Sequence, residues 1–241
     1  MGFRDLVEGC TFYADSVSTK LEMREISSTE GNGPMVFTNV MEAPGHSAAI
    51  NILTRDRLCS SLGISPGELI DILSWAMENP SEPKIVELSR APVMQNTMGE
   101  LDIRKIPISW HYPQDAGRYQ SASIIIAQHG GLRNTSFHRQ LTMSSNRTTV
   151  RLVPRHLRTM LNEAKKTGDD INIAVVNGPD PVVLLAGAMS FDEPLDELRV
   201  AASLHEKLYG TQLEVVELSN GVIAPAESEY LMEARITNST D

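Results

Sequence analysis

The sequence has 241 residues, of which 41% are hydrophobic, and its formal net charge is −10 at pH 7. A chain of this length and composition can bury a substantial core, in one large domain or in two smaller ones. The excess of acidic side chains argues against non-specific binding to nucleic acid or to an anionic membrane, because both need a basic surface, so we expect neither among its partners.

The first hundred residues are predicted to form a small α/β domain. Residues 3–8 have the pattern of a short amphipathic helix, and residues 20–26 show the partial alternation of a strand. The clearest helix starts at residues 65–68 (Ser-Pro-Gly-Glu), which combine a capping box with proline at the first helical position. An apolar face continues to Met77, and Pro80 ends the helix because it disfavours helical geometry in the preceding residue.

The pattern becomes rich in strands after residue 100, and we predict a domain boundary there, giving domains 1–100 and 101–241. Strands are predicted at residues 121–128, 148–153, 172–176, 213–218 and 230–236, and helices at residues 154–165, 181–188 and 197–209. The fold class is therefore expected to be mixed α/β (α+β).

The cysteine content indicates a reducing compartment. The sequence contains Cys10 and Cys59 and no Cys-x-x-Cys pair, so a disulfide framework is not expected. Residues 1–16 lack the basic start and long apolar run of a signal peptide, and no stretch approaches the roughly 20 apolar residues of a membrane span. These features predict a cytoplasmic protein.

Five polar side chains in the second part carry potential chemistry: Asn134, Arg139, Arg155, His156 and Glu197. An amide oxygen, an imidazole and a carboxylate (Asn134, His156, Glu197) form a ligand set that suits Mn²⁺ or Mg²⁺ rather than a thiolate-binding metal. The two guanidiniums suit a phosphate or a carboxylate, which arginine binds with two hydrogen bonds. Each residue alone also has an ordinary structural role as a turn residue, helix cap or surface side chain, and spacing alone does not name an activity.

These five side chains belong to three segments of the sequence: residues 134–139 (Asn-Thr-Ser-Phe-His-Arg), the pair Arg155-His156, and residues 189–197. In this order and at these separations, the three segments resemble the cofactor-site segments of UbiD-like decarboxylases. Residues 101–107, 115–119, 182–188 and 224–229 fit the same pattern, so the resemblance covers nearly the whole chain and is most specific over residues 101–236. The motifs are most similar to the archaeal branch, that of the anhydromevalonate phosphate decarboxylases.

The resemblance implies a small N-terminal α/β domain followed by an FMN-binding split β-barrel. It implies prenylated FMN held with Mn²⁺ or Mg²⁺, and K⁺ as a further ion. Asn134, His156 and Glu197 match the metal ligands, and Arg139 matches the catalytic arginine that holds the substrate carboxylate. The cofactor-binding positions implied in this way are Asn134, Ser136, Phe137, Arg139, Arg155, His156, Met189 and Glu197. Phe137 and Arg155 depart from the family pattern. At the position of Arg155 the family often has Gln.

The implied reaction is reversible decarboxylation of an α,β-unsaturated acid such as anhydromevalonate phosphate, with an aromatic acid such as 4-hydroxybenzoate as the alternative. The implied partners are this carboxylic acid substrate, a flavin prenyltransferase that supplies the cofactor, and further copies of the chain in a homo-oligomer.

One family feature is not matched. In the family, proton-donating glutamates and a C-terminal domain follow the strand that matches residues 230–236, whereas this sequence ends at Asp241. Glu227, Glu229 and Glu233 do not match the catalytic pair. We therefore expect the decarboxylase to need a C-terminal segment or partner subunit. The alternatives are a non-catalytic flavin- or phosphate-binding module and a structural homologue that binds nothing.

Overall fold

The structure of the protein, a computed structural model, describes residues 2–191 and 195–238. Over these ranges the α-helices are α1 (Glu22–Thr29), α2 (Arg55–Ser61), α3 (Leu69–Glu78), α4 (His156–Thr167), α5 (Pro181–Ala188) and α6 (Glu197–Tyr209). The strands are β1 (Thr11–Tyr13), β2 (Met35–Phe37), β3 (Ala48–Ile50), β4 (Lys84–Ile85), β5 (Tyr119–Gln120), β6 (Ile124–His129), β7 (Leu132–Phe137), β8 (Gln140–Thr142), β9 (Thr148–Val150), β10 (Ile171–Pro179), β11 (Glu214–Glu217), β12 (Ile223–Pro225) and β13 (Ser228–Ile236). Short 3₁₀ helices occupy Phe3–Val7, Leu88–Arg90, Pro92–Met94 and Ile103–Lys105.

The centre of the second part is an antiparallel sheet in the order β13-β10-β6-β7. Strands β6 and β7 form a hairpin closed by Gly130-Gly131, whose φ angles of 60° and 79° are readily adopted by glycine. Strand β7 consequently lies at an edge of the described sheet, and its outward-facing backbone groups are available to other parts of the chain.

Helices cover both faces of this sheet because its strands are apolar on both sides. Helix α4 buries Leu157 and Leu161 in a cluster that also contains Ile125 and Val175 of the sheet. The residues between these positions in β6 and β10 point to the other face and belong to a second cluster, which includes residues of α5 and α6. The two-residue period of a strand thus assigns neighbouring side chains to opposite helical layers.

Helix α5 packs very closely on the sheet. A Cβ atom added at Gly187 would lie 3.1 Å from Ile124 Cδ1, which is tighter than an ordinary van der Waals contact. Helix α6 packs beside α5 and also contacts the edge strand β7. These contacts bring the first turn of α6 to the edge of the sheet.

The other strands form smaller sheets, in the orders β1-β2-β3, β12-β11-β4 and β5-β8-β9. Strand β4 pairs with β11 in parallel, and α3 packs against α6, so residues 69–85 contact the second part of the chain. The division into domains 1–100 and 101–241 stays a prediction. The described strands form four sheets and no closed barrel, and the split-barrel form likewise stays a prediction.

The mixed α/β class predicted from the sequence is confirmed, and helix α6 has the predicted bounds. The predicted strand at residues 20–26 is wrong, because Glu22–Thr29 is helix α1. The helix buries Met23 and Ser27, which are one turn apart, and its first turn carries Glu22 and Glu25, where the helix dipole stabilises negative charge. No helix among the described residues is long and apolar enough to cross a membrane.

Candidate functional site

The carboxylate of Glu197 binds the edge strand β7. It accepts a hydrogen bond of 2.8 Å from Asn134 Nδ2 and another of 2.8 Å from the backbone N–H of Thr135. Glu197 is 3% exposed, Asn134 5% and Thr135 0%. Glu197 therefore joins the first turn of α6 to the sheet edge within a buried polar cluster.

The buried carboxylate is electrostatically unusual. Burial is the largest cause that raises the pKa of Glu197, and the negative charge of Asp196 acts in the same direction, whereas the hydrogen bonds from Thr135 and Asn134 favour the ionised form; the resulting pKa is about 7. Both of those donors are neutral groups. A buried carboxylate held only by neutral donors is a favourable place for a cation, because a positive charge would offset the cost of ionisation.

The adjacent residue Asp196 anchors the helix end. Its side chain caps α6 by accepting from the Leu198 backbone N–H at 3.0 Å, and it forms an ion pair with Arg133, with 3.1 Å between Arg133 Nε and Asp196 Oδ1. Arg133 and Asp196 also line an open cleft of about 560 Å³, together with the ion-paired residues Arg199 and Glu82. The arginines of this cleft are thus already engaged with carboxylates.

The hydrogen-bond chain continues from Asn134 away from Glu197. Ser136 Oγ donates to Asn134 Oδ1 at 2.8 Å and lies 2.9 Å from His138 Nε2. Burial lowers the pKa of His138, and a smaller opposing contribution comes from the main chain of Arg151, which favours the protonated ring. The sequence analysis did not single out His138. Asn134, Ser136 and His138 are every second residue, however, and every second residue of an extended strand lies on the same face.

The structure orients Asn134 toward the layer of α4. Asn134 pairs with Ala127 across the β6–β7 ladder, so the two side chains lie on the same face of the sheet. Ala127 packs in the cluster that contains Leu157 of α4. Helix α4 begins at His156, and this candidate ligand is therefore at the start of a helix that packs on the Asn134 face of the sheet.

His156 and Glu197 each occupy the first residue of a helix, α4 and α6 respectively. Helix N-termini present free backbone N–H groups and favour anions such as phosphate. The structure joins Asn134 to Glu197 by a direct hydrogen bond; no such bond joins His156 to either residue within the described ranges. Arg155, the residue before α4, is exposed.

Arg139 is exposed, and its guanidinium stacks on an aromatic ring. The Arg139 Cζ atom lies 4.4 Å from the centroid of the Tyr119 ring, a cation–π geometry. Tyr119 in β5 faces Leu141 in β8, and Arg139 immediately precedes β8. The arginine is therefore held beside the small β5-β8-β9 sheet, with its polar edges available to a ligand.

The remaining predicted site residues have structural contacts. Phe137 and Met189 are partly buried and pack against the core cluster of α5 and α6, and Met189 follows the last residue of α5. Of the segment 189–197 that carried the sequence resemblance, residues 192–194 lie outside the described residues. Glu229 and Glu233, which do not match the catalytic glutamates of the family, also have structural partners: Glu229 forms an ion pair with Arg4, and Glu233 accepts a hydrogen bond from the Ser219 backbone N–H.

The donor set at the sheet edge fits a hard divalent cation in part. Asn134 and Glu197 supply an amide oxygen and a carboxylate, which are ligand types of Mg²⁺ and Mn²⁺. No group of three or more His, Cys, Asp or Glu side chains within residues 2–191 and 195–238 has the arrangement of a metal site. At this edge the amide oxygen of Asn134 and the carboxylate of Glu197 are two oxygen groups that a cation could use.

Comparison with known proteins identifies the family. Residues 84–241 match the model of the UbiD family described as the 3-octaprenyl-4-hydroxybenzoate carboxy-lyase Rift-related domain. This match covers well over half of the chain. The chain belongs to the UbiD family. The family resemblance stated from the sequence motifs is therefore confirmed.

Curated members of the UbiD family give the same result. The chain is 33% identical over 226 residues to the anhydromevalonate phosphate decarboxylase of Methanothermobacter thermautotrophicus, and this alignment covers 92% of the chain and 51% of that relative. It is 32% identical to the enzyme of the same name from Methanosarcina mazei, with 85% of the chain and 46% of that relative covered. The chain spans about half the length of these relatives.

A solved structure from the family has the same fold over nearly the whole chain. The UbiD-class enzyme HmfF from Pelotomaculum thermopropionicum, in an evolved dimeric form in complex with prFMN, superposes with a TM-score of 0.89 at 26% identity. The superposition covers 98% of this chain and 57% of HmfF. A second HmfF structure, in complex with FMN, gives a TM-score of 0.90. The described fold thus corresponds to a little over half of the HmfF chain.

Proposed function

We propose that this UbiD-family chain is the cofactor-binding part of a prenylated-FMN-dependent decarboxylase that acts on an α,β-unsaturated acid such as anhydromevalonate phosphate. The family match and the names of the archaeal relatives support the reaction class and this substrate. Because the chain spans about half the length of those relatives, the complete activity would need a further C-terminal segment or a partner subunit. As a decarboxylase of this kind, it would work in the cytoplasm as a homo-oligomer, with cofactor from a flavin prenyltransferase.

The observation that carries this proposal is the buried pair of Asn134 and Glu197 at the edge of β7. The pair offers two oxygen-bearing side chains, 2.8 Å apart between Asn134 Nδ2 and Glu197 Oε1, with no positive charge in either hydrogen bond to the carboxylate. A divalent cation such as Mn²⁺ or Mg²⁺ held by Asn134 and Glu197 would neutralise the Glu197 carboxylate, which would otherwise repel the phosphate of the cofactor. His156 would supply the third ligand, from the first residue of α4.

The start of helix α4 gives a second reason to place an anionic group here. Helix α4 has no side-chain cap, and the backbone N–H groups of an uncapped first turn favour a phosphate. Ser136, Phe137, Arg155 and Met189 would surround the remainder of the cofactor, and a K⁺ ion would accompany it near Met189.

Arg139 would bind the carboxylate of the substrate. Its stacking on Tyr119 leaves the in-plane N–H groups free for a bidentate interaction with a carboxylate. Holding the carboxylate in one orientation lowers the barrier to its loss, because a positioned group does not have to be oriented again in the transition state. The modified flavin, when bound, would supply the electron sink for loss of CO₂, and the chain would orient the acid and exclude water.

The experiment that tests this proposal is production of the protein together with a flavin prenyltransferase, followed by measurement of Mn content and of the mass of released cofactor. We expect both ligands in stoichiometric amounts in the wild type and their loss in His156→Ala. His129→Ala is the matched control, because His129 ends β6 outside the proposed site. Correctly folded wild-type protein that contains neither ligand would refute the proposal.

A second arm of the experiment addresses catalysis. Loaded protein would be mixed with the C-terminal half of an archaeal relative, and CO₂ release from anhydromevalonate phosphate would be measured. Turnover that depends on Arg139 supports a decarboxylase, whereas bound cofactor without turnover supports a non-catalytic flavin-binding module. Turnover of 4-hydroxybenzoate alone would correct the substrate class to aromatic acids.

A further inference from the structure

The hydroxyl of Ser136 lies between two groups that can accept its single proton. It donates to Asn134 Oδ1 at 2.8 Å, and its oxygen lies 2.9 Å from His138 Nε2. If the hydroxyl proton is on the Asn134 side, as in this structure, Nε2 must donate to Ser136 Oγ. The protonation of one ring nitrogen is therefore linked to the orientation of the Asn134 amide.

The ring of His138 has a competing use for its proton. Its hydrogen bond with the Arg151 main chain favours the protonated ring, so the ring acts as donor in that contact. A neutral imidazole has one N–H, and donation to Arg151 leaves the ring able only to accept from Ser136. Donation from the His138 ring to Ser136 Oγ and donation from the ring to the Arg151 main chain thus require the same proton.

Rotation of the Asn134 amide by half a turn removes this competition. Nδ2 would then donate to Ser136 Oγ, and Ser136 would donate to His138 Nε2, while the ring donates to Arg151. The same rotation would place Asn134 Oδ1 where Nδ2 now lies, 2.8 Å from Glu197 Oε1. Two oxygen atoms at that distance repel each other unless a cation binds both or a protonated Glu197 donates its O–H to Oδ1; with Glu197 ionised, the arrangement requires the cation.

The resulting spacing suits a cation. Adjacent ligands of an octahedral ion with metal–oxygen distances of about 2.1 Å are about 3 Å apart. The rotated amide would therefore have the geometry of two neighbouring ligands without movement of the β7 backbone or of α6.

We propose that Ser136 and His138 are positioning residues that favour the Asn134 amide orientation in which Oδ1 faces Glu197 and completes a divalent cation site. This inference rests on the proposed function, since it concerns the same cation. Hydrogen-bond partners of this kind, which orient a ligand without touching the metal, commonly contribute 10–100-fold to metal affinity.

The first test is the affinity of the protein for Mn²⁺ alone, measured by electron paramagnetic resonance of the free ion. We expect Ser136→Ala and His138→Phe each to weaken Mn²⁺ binding by about 10–100-fold. His138→Gln, which keeps an acceptor and a donor, should restore much of the affinity. His129→Phe serves as the matched control and should bind as the wild type does, and thermal unfolding of every variant checks its folding.

The second test observes the proton itself. Long-range ¹H–¹⁵N spectra of the histidine-labelled protein report which ring nitrogen is protonated, and His138→Gln assigns the signal. Saturation with Mg²⁺, which is diamagnetic, should convert the His138 signal to that of a ring with Nε2 unprotonated. A merely structural histidine would keep one tautomer in both states.

The outcomes separate the two proposals. Wild-type protein that binds Mn²⁺ with the same affinity as Ser136→Ala and His138→Phe would overturn the positioning role and leave the cation site intact. Wild-type protein that binds neither Mn²⁺ nor Mg²⁺ would overturn the cation site and the positioning role together.

Discussion

Replacement of Glu197 by glutamine tests whether the sheet edge is a cation site that is electrostatically strained without its ion. The pKa of Glu197 lies at about 7 rather than 4.5, because the carboxyl is buried. Between pH 4.5 and about pH 7, Glu197 carries a proton in the folded protein and has lost it in the unfolded chain. The free energy of unfolding of the wild type therefore falls as the pH rises through this range. The full difference corresponds to roughly 3 kcal/mol, at about 1.4 kcal/mol per pKa unit.

Glu197→Gln should therefore be more stable than the metal-free wild type at pH 8, by up to roughly 3 kcal/mol, or roughly 6–12 °C in melting temperature for a chain of this length. The advantage should shrink toward zero at pH 5, where folded wild type is protonated at Glu197. Glutamine can satisfy both contacts, by accepting from the Thr135 N–H and donating to a rotated Asn134 amide.

The assay is thermal unfolding from pH 5 to pH 8 in chelator and again with excess Mn²⁺. The metal should stabilise the wild type by RT ln(1 + [L]/Kd), about 2.7 kcal/mol at one hundred times Kd, and should not stabilise Glu197→Gln. Glu206→Gln is the matched control, because Glu206 is exposed on the same helix. A stability difference between Glu197→Gln and wild type that stays constant from pH 5 to pH 8 would refute the electrostatic reasoning.

Three further substitutions test the surroundings of the site. Asp196→Ala removes the cap of α6 and the partner of Arg133, and urea unfolding should show a loss of about 1–2 kcal/mol; an unchanged midpoint would contradict the capping role. Gly187→Ala places a Cβ atom 3.1 Å from Ile124 Cδ1, so we expect a loss of about 1–3 kcal/mol in the same assay, and a gain in stability would show that the helix can move away. Asp180→Asn should stabilise the protein at pH 8 and not at pH 4, since burial raises the pKa of Asp180 to about 6; a stabilisation that is equal at both pH values would exclude this cause.

The sequence predicted the helices near the site well because their signals are local. Helix α6 has Asp196 as its cap and an apolar face that continues through Leu204, and both signals can be recognised without the fold. The strand predicted at residues 20–26 failed because the segment is short and its alternation was only partial. In the structure, Met23 and Ser27 face the core with helical spacing instead.

The family resemblance indicated which side chains to examine, and the three-dimensional contacts could not be read from the sequence. Asn134 and Glu197 are 63 residues apart, and their hydrogen bond exists because α6 packs against the edge of a hairpin. The involvement of His138 also depends on the fold, since its partner Arg151 lies in the segment after β9. The alternation of Asn134, Ser136 and His138 along one face was the available signal for it.

The attachment of α6 to the outer edge of β7 has a consequence for any attempt to redesign this protein. The Glu197 carboxylate accepts the hydrogen bond of the Thr135 backbone N–H. On a free strand edge, that N–H could pair with a strand of another chain. A short apolar residue at position 197 would abolish cation binding, and it would also leave the Thr135 N–H of this strand edge without its acceptor. Self-association of such a variant should accordingly be checked before any loss of function is attributed to the metal.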